Sequence, residues 1–335
     1  MPGQPEWRFD PLTGRRVLIS PDRADRPRAV GPACPFCEGH ESETPPEVLA
    51  YRPPGSGPNG PGWRVRVVPN RYAAVRMDIG EPGASATGAN RQRAFATAGT
   101  PVADAPGSPG LGVAEVFVES PHHETAFRNL SRAQATDVVR AWRNRLRFWR
   151  DDGRLAFAQV FKNEGPAAGA SVEHCHSQLI GIPFVPPAVE NELRRVASIR
   201  CPYCDADARV GPTFVTDTEH FVAVCPVAPR LPGETWVLPK EHIAAFETVT
   251  DDRAAELAGI LFDVLGRIDR VFARPDYNLI VRSAPFRYEG NWHWRVEILP
   301  RVTTTAGWEW GTGLLINTMF PEEAARLLRD AGRNE

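Results

Sequence analysis

Over residues 114–120 the chain reads AEVFVES, an alternation of side chains that predicts a strand. Residues 131–152, SRAQATDVVRAWRNRLRFWRDD, change period. Ala135, Val138, Val139, Trp142, Leu146 and Trp149 recur at helical spacing behind Ser131, a good N-cap. LAFAQVF (155–161) predicts a second strand and HCHSQLIGI (174–182) a third, joined by the glycine-rich EGPAAGAS. PAVENELRRVASI (187–199) predicts a further helix. From about residue 80 to 112 the periodicity fades into Gly, Ala, Pro and Ser, which predicts a long surface loop.

The second half repeats the first. A shift of 119 carries His123 onto His242, His174 onto His293 and Ser131 onto Thr250, with HETAF beside HIAAF. The 24 residues of 250–273, TDDRAAELAGILFDVLGRIDRVFA, form a Thr-capped counterpart of the Ser-capped helix. Each half also begins its landmarks with Cys-x-x-Cys: Cys34 and Cys37 in CPFC, Cys201 and Cys204 in CPYC. Four landmarks in one order argue for an internal duplication.

A length of 335 residues accommodates two domains or two halves of one unit. The formal net charge of −2 gives no basic field for nucleic acid. The opening MPGQPEWRFDP lacks the apolar stretch of a signal peptide, and no run approaches the roughly 20 apolar residues of a membrane span. Six cysteines in so long a chain, four of them in Cys-x-x-Cys pairs, indicate metal binding in a reducing compartment rather than a disulfide framework. A cytoplasmic protein is expected. Cys175 and Cys225 are left as small buried hydrophobes.

Cys34, Cys37, His123 and His174 form one zinc ligand set; Cys201, Cys204, His242 and His293 form a second. Four protein ligands leave no open position, so both zinc ions, two per chain, are structural. His122 and His220 are the alternative ligands, and His40 reads as a surface residue. In a strand, His174, His176 and Gln178 share one face while Cys175 and Ser177 take the other. His176, about 7 Å along from the metal-held His174, is then placed to attack phosphorus and form a covalent intermediate. The backbone N–H groups of EGPAAGAS, with Ser171 and Gln178, are expected to hold phosphoryl oxygens. In the second half Arg295 stands where His176 stands, and Glu297 where Gln178 stands, so that half keeps its metal and lacks the nucleophile.

Taken together these residues resemble the galactose-1-phosphate uridylyltransferase family of the histidine-triad superfamily. The similarity runs through RFDPLTGRRVLISPDRADRP, CPFC, VVPNRY, SPHHE, FKNEGPAAGAS and HCHSQ in family order. It continues into EHFVAVCPVAPRLPGETWVLPKEH in the second half. The resemblance implies an α/β (α+β) fold of two tandem histidine-triad-like halves, each an antiparallel sheet with a packed helix. Residues 1–195 form the catalytic half and 196–335 the half without the nucleophile. It also implies a homodimer and a ping-pong transfer. His176 takes a nucleoside monophosphate from a nucleotide sugar of the UDP-glucose type and passes it to a sugar 1-phosphate of the galactose 1-phosphate type. Carried over by motif, Arg23 and Arg26 contact phosphates, and Asn70, Arg71, Asn163, Ser171 and Gln178 contact the nucleotide and its α-phosphate. Glu192 matches a carboxylate that binds a second metal in some members. The chain departs from the family pattern in having Cys175 where proline usually separates the histidines, and HWRVEILPR where two more histidines are usual. CPYC and the residues after Glu297 are similar to the ADP-glucose phosphorylase-like branch, in which orthophosphate or another acceptor replaces the hexose phosphate. Three alternatives therefore stand beside the transferase: a nucleotide-sugar or dinucleotide phosphorylase, a hydrolase, and a nucleotide- or nucleic-acid-binding zinc protein without turnover.

Overall fold

The computed structural model describes residues 5–25, 34–77, 108–204 and 211–333. Its centre is one antiparallel sheet of ten strands. The first half supplies β3 (Leu49–Tyr51), β4 (Val65–Pro69), β6 (Val113–Val118), β7 (Phe157–Glu164) and β8 (His176–Ile182). The second supplies β9 (Phe214–Asp217), β10 (Phe221–Val224), β11 (Thr235–Pro239), β12 (Tyr277–Arg282) and β13 (Arg295–Pro300). The spatial order β3-β4-β6-β8-β7-β12-β13-β11-β10-β9 reads the same way outward from its centre, where β7 pairs with β12. Each half thus contributes five strands in matching order, the arrangement a duplicated unit produces when two copies join at one edge strand. A small separate sheet is built from β1 (Glu6–Phe9), β2 (Arg16–Ile19) and β5 (Ser108–Pro109).

One face of the large sheet is apolar and covered by helices. Helix α1 (Arg132–Asp152) follows Ser131, whose side chain accepts from the Gln134 N–H, and ends at Gly153 in the left-handed region. Helix α3 (Asp251–Phe272) follows Thr250, which accepts from the Arg253 N–H in the same way. The two helices pack on each other across the junction of the halves. The predicted apolar stripe of α1 is buried, with Ala135, Val138, Val139 and Trp142 fully enclosed. Trp142 Nε1 donates to Ser177 Oγ at 2.7 Å, which turns Ser177 toward the helices and leaves its neighbours His176 and Gln178 on the opposite face. In β12 the same alternation buries Tyr277, Leu279 and Val281 and leaves Asn278, Ile280 and Arg282 half-buried on that face. Helices α2 (Pro187–Val196), α4 (Gly307–Thr312) and α5 (Pro321–Gly332) complete the described α-helices.

Two predicted boundaries move. The strand predicted from 174 begins at His176, so His174 and Cys175 lie in the lead-in segment. The Cys175 N–H donates to the Glu124 carbonyl and its carbonyl accepts from the Glu119 N–H. Most of the predicted 80–112 loop lies outside the described residues; its end forms β5 and enters β6.

Candidate active site

The two ligand sets predicted from the repeat are assembled. Cys34, Cys37, His123 and His174 bring one ligand atom each to within 4.8 Å of one another, and so do Cys201, Cys204, His242 and His293. In the first set Cys34 Sγ and Cys37 Sγ stand 3.5 and 3.6 Å from His174 Nδ1, and Cys37 Sγ stands 3.5 Å from His123 Nδ1. A tetrahedral zinc with ordinary Zn–S and Zn–N bonds separates a sulfur and a nitrogen by about 3.6 Å. The second set has 3.4 Å for Cys201 to His293, 3.1 Å for Cys204 to His242 and 3.7 Å for Cys204 to His293. Each buried histidine is oriented alike: His174 Nε2 donates to the Ser120 carbonyl and His293 Nε2 to the Pro239 carbonyl, both at 2.8 Å. A carbonyl can only accept, so Nε2 carries the hydrogen and Nδ1 presents its lone pair to a metal. Burial, with His123 and His176 beside it, pushes His174 down to about 4, so its imidazole is neutral and competent as a ligand at physiological pH. Burial and the neighbouring Cys34 push the Cys37 thiol up to about 11; a bound cation would offset both. Both donor sets fit zinc in chemistry and spacing.

His122 and His220 do not join these sets. His220 instead donates Nδ1 to Glu256 at 2.6 Å. His40, expected to be an idle surface residue, places Nδ1 2.8 Å from the Cys34 carbonyl and so braces the first Cys-x-x-Cys turn.

His176 stands on the open face with its ring tilted against Phe36, centroids 5.5 Å apart. Its Nδ1 lies 2.7 Å from the His174 carbonyl. Nδ1 must therefore donate, which leaves Nε2 as the basic, nucleophilic nitrogen. The ring borders a cavity of about 560 Å³. Among the lining residues are Phe36, Val68 and Val116, an apolar wall, and Asn70, Arg71, Ser171, His176 and Gln178, a polar one. An apolar slot with a convergent polar end suits a nucleoside joined to phosphate.

The glycine-rich turn behaves differently from expectation. Gly165 and Gly169 take φ of +84° and +86°, closing a tight bend. The N–H groups of Ala168, Gly169 and Ala170 bond carbonyls within the turn, and that of Ala167 bonds Asp276. These four donors are spent on holding the turn together, because a bend this tight must satisfy its own backbone; Ser171 emerges from it into the cavity. Asn163 stands on β7, the strand that pairs with β8. It lines an adjacent cavity of about 660 Å³ with Gln159, Phe161, Asn278 and Arg301, and its Oδ1 accepts from Asn278 Nδ2 at 2.8 Å. Arg23 lies in the short turn Pro21–Asp25 and is not among the lining residues of either cavity; Arg26 lies outside the described residues.

The second half presents the matching face in a closed form. Arg295 stacks on Trp236 at 4.3 Å and bonds Glu192 at 2.7 Å and Glu297 at 2.8 Å. Glu192 also pairs with Arg282. Both carboxylate oxygens implied as metal ligands are thus engaged by guanidinium groups. Although burial works against its charge, Glu297 is held below the ordinary carboxylate range by Arg295, Arg230 and Arg282. The cavity beside His293 and Arg295 shrinks to about 190 Å³, too small for a nucleotide. The chemical asymmetry of the halves therefore follows from two positions. A neutral Gln178 beside an imidazole leaves a site, whereas Glu297 beside a guanidinium fills it.

The family model described as galactose-1-phosphate uridyl transferase, N-terminal domain, matches residues 3–186. A model described as a domain of unknown function (DUF4921) matches residues 144–331. The chain is 33% identical to an ADP-glucose phosphorylase of Arabidopsis thaliana over 97% of its length and 93% of the relative's. It is 28% identical to a galactose-1-phosphate uridylyltransferase of Thermotoga maritima over 97% of its length and 98% of the relative's. The crystal structure of an Arabidopsis ADP-glucose phosphorylase with bound ADP-glucose superposes with a TM-score of 0.74 at 32% identity, covering 97% of this chain and 99% of that one. With its ten-stranded sheet, paired Cys/His clusters and His-x-His segment, the chain belongs to the galactose-1-phosphate uridylyltransferase family.

Proposed function

We propose that the protein transfers a nucleoside monophosphate between a nucleotide sugar and a sugar 1-phosphate, with His176 as the carrier. The observation that supports this most directly is the tautomer of His176: Nδ1 is committed to the His174 carbonyl, and Nε2 is the basic nitrogen at the edge of the nucleoside-sized cavity. In the first half-reaction Nε2 attacks the α-phosphorus. The bond from that phosphorus to the bridging oxygen breaks, and sugar 1-phosphate departs with the oxygen and its electron pair. In the second, a phosphate oxygen of the acceptor attacks the same phosphorus and the N–P bond breaks, returning its electron pair to Nε2. Ser171 and Gln178 donate to the phosphoryl oxygens as charge develops. Asn70 and Arg71 hold the nucleotide, Asn163 meets the phosphate from the next strand, and Arg23 and Arg26 serve the phosphates.

Two zinc ions per chain complete this reading. One, on Cys34, Cys37, His123 and His174, fixes the segment leading into His176; the other, on Cys201, Cys204, His242 and His293, fixes the corresponding segment of the second half. A residue 1–195 catalytic half and a 196–335 half without a nucleophile are the units of this enzyme. It works as a homodimer in the cytoplasm, without a nucleic-acid partner. The exposed Trp308, Trp310, Leu314, Ile316 and Phe320, clustered in one C-terminal stretch, supply apolar surface for the second copy. Among the described residues no helix is long and apolar enough to cross a membrane.

A second reading keeps the same loaded histidine and uses orthophosphate as acceptor, making the enzyme an ADP-sugar or other nucleotide-sugar phosphorylase. It draws on the 33% identity with the Arabidopsis ADP-glucose phosphorylase. Intact-mass spectrometry after incubation with UDP-, ADP- and GDP-glucose tests both. The mass added identifies the nucleotide, and discharge by galactose 1-phosphate or by orthophosphate identifies the acceptor. A protein that acquires no nucleotidyl mass from any of the three would sink the covalent mechanism.

A further inference from the structure

Beneath the nucleophile lies a buried charged cluster that the mechanism above does not use. Lys162, one of only two lysines in the chain, is 1% exposed, and Glu119 is fully buried. Lys162 Nζ lies 2.9 Å from Glu119 Oε2, 3.2 Å from the His176 carbonyl, 3.2 Å from Cys175 Sγ and 3.6 Å from Glu164 Oε2. The Cys175 thiol donates to Glu119 at 2.8 Å, and Tyr277 of the second half donates to Glu164 at 2.8 Å. Burial opposes the ammonium, yet the surrounding acids outweigh it and keep Lys162 charged.

The contact with His176 has a topological cause. The register between β7 and β8 runs from Phe157 opposite Ile182 to Phe161 opposite Gln178 and stops there. Two steps further, Asn163 would face His176, but the ladder has ended. The carbonyl of the nucleophilic residue therefore receives its hydrogen bond from the Lys162 side chain. The His174 carbonyl meanwhile holds the imidazole. Ring and peptide of His176 are gripped separately, one by the metal-bound segment and one by Lys162.

We propose that Lys162 is a positioning residue for nucleotidyl transfer. Its ammonium replaces the missing ladder bond at His176 and aligns Nε2 with the α-phosphorus. Through Glu119, which adjoins the Ser120 carbonyl that orients His174, and through Glu164 and Tyr277, it ties that alignment to the metal-holding segment and to the second half. The inference rests on His176 being the carrier.

The test compares Lys162→Met, Glu119→Gln and the double variant in the full-length, metal-replete protein. For each, the metal content, melting temperature, affinity for UDP-glucose and ADP-glucose, and single-turnover rate of nucleotidylation are measured. Both single variants break the buried ion pair and lower the melting temperature. Only Lys162→Met removes the donor to His176. Its nucleotidylation should slow about 100-fold, the scale of a misplacement near 1 Å, with metal content and sugar-nucleotide affinity unchanged. Glu119→Gln keeps that donor and should slow nucleotidylation far less than Lys162→Met, despite its lower stability. The double variant, relieved of the unpaired charge, should regain stability and stay slow. Nucleotidylation at the parent rate in Lys162→Met, equal slowing in Glu119→Gln, or recovery of rate in the double variant would each overturn the proposal. A parent protein that forms no adduct removes the His176 reading itself, and this one with it.

Discussion

At the residue scale, the two histidines two positions apart are proposed to do different work because their rings are tied differently. His174 turns Nδ1 toward the cysteines and Nε2 to a carbonyl, whereas His176 gives Nδ1 to a carbonyl and keeps Nε2 for chemistry. His176→Ala should fold, keep its metal and bind nucleotide sugar, yet acquire no nucleotidyl mass and lose several orders of magnitude in turnover. His174→Ala should lose metal first and activity in consequence, which elemental analysis beside the rate would separate. A pH dependence follows from the same residue in the metal-stripped protein. Its folded value, about 4, lies below the ordinary 6.5. The unfolded chain therefore binds a proton there while the folded chain does not. Stability from this group is fully present above pH 6.5 and falls away as the pH drops toward 4. Urea titrations of chelator-treated protein across that interval should show a declining midpoint. The Cys-x-x-Cys pairs and the His-x-His spacing were legible in the chain because ligand chemistry restricts residue type. The Lys162–Glu119 pair was not, since a lysine and a glutamate 43 positions apart carry no local pattern.

At the scale of elements, helices α1 and α3 were legible almost to the residue. Their apolar periodicity and Ser/Thr caps are local signals, and both caps form as expected. The glycine-rich turn was legible as a turn but not in its use of donors. Gly165 illustrates why: a Cβ there would lie 2.0 Å from an Asp276 side-chain oxygen, and Asp276 comes from the far side of the β7–β12 junction. Gly165→Ala should open the turn, withdraw Ser171 from the cavity and lower both stability and nucleotidylation, combining a positive-φ strain of about 1 kcal/mol or more with the steric clash. Calorimetry together with the single-turnover rate checks this. An unchanged melting temperature would mean that the bend is less constrained than its geometry implies.

At the scale of the whole molecule, the duplication yields one sheet and two unequal sites. Removing the second metal should therefore uncouple stability from chemistry. Cys201→Ser is expected to reduce zinc from two equivalents to one and to lower the melting temperature, because structural zinc contributes on the order of 10 kcal/mol of apparent binding energy. Nucleotidylation of His176 should persist at temperatures where the protein stays folded. Zinc analysis and intact mass on the same sample decide it. Sedimentation of the parent and of Trp310→Glu addresses the apolar C-terminal stretch: a dimer that dissociates in the variant is the expected outcome.

The sequence by itself determined the two Cys/His sets and the repeat, and it singled out His176 as the proposed carrier. Each is written in residue type and spacing, and only a few residue types ligate zinc or attack phosphorus. Tertiary structure decided what spacing cannot carry. It spent N–H groups of the turn on the turn itself and on Asp276, and it placed Asn163 in the neighbouring cavity. It also closed the second site with the Arg295, Glu192 and Glu297 network, and set a buried lysine where the β7–β8 ladder ends. Those outcomes depend on which strands become neighbours and where their register stops, and registers are set by packing across the whole sheet rather than by any one segment.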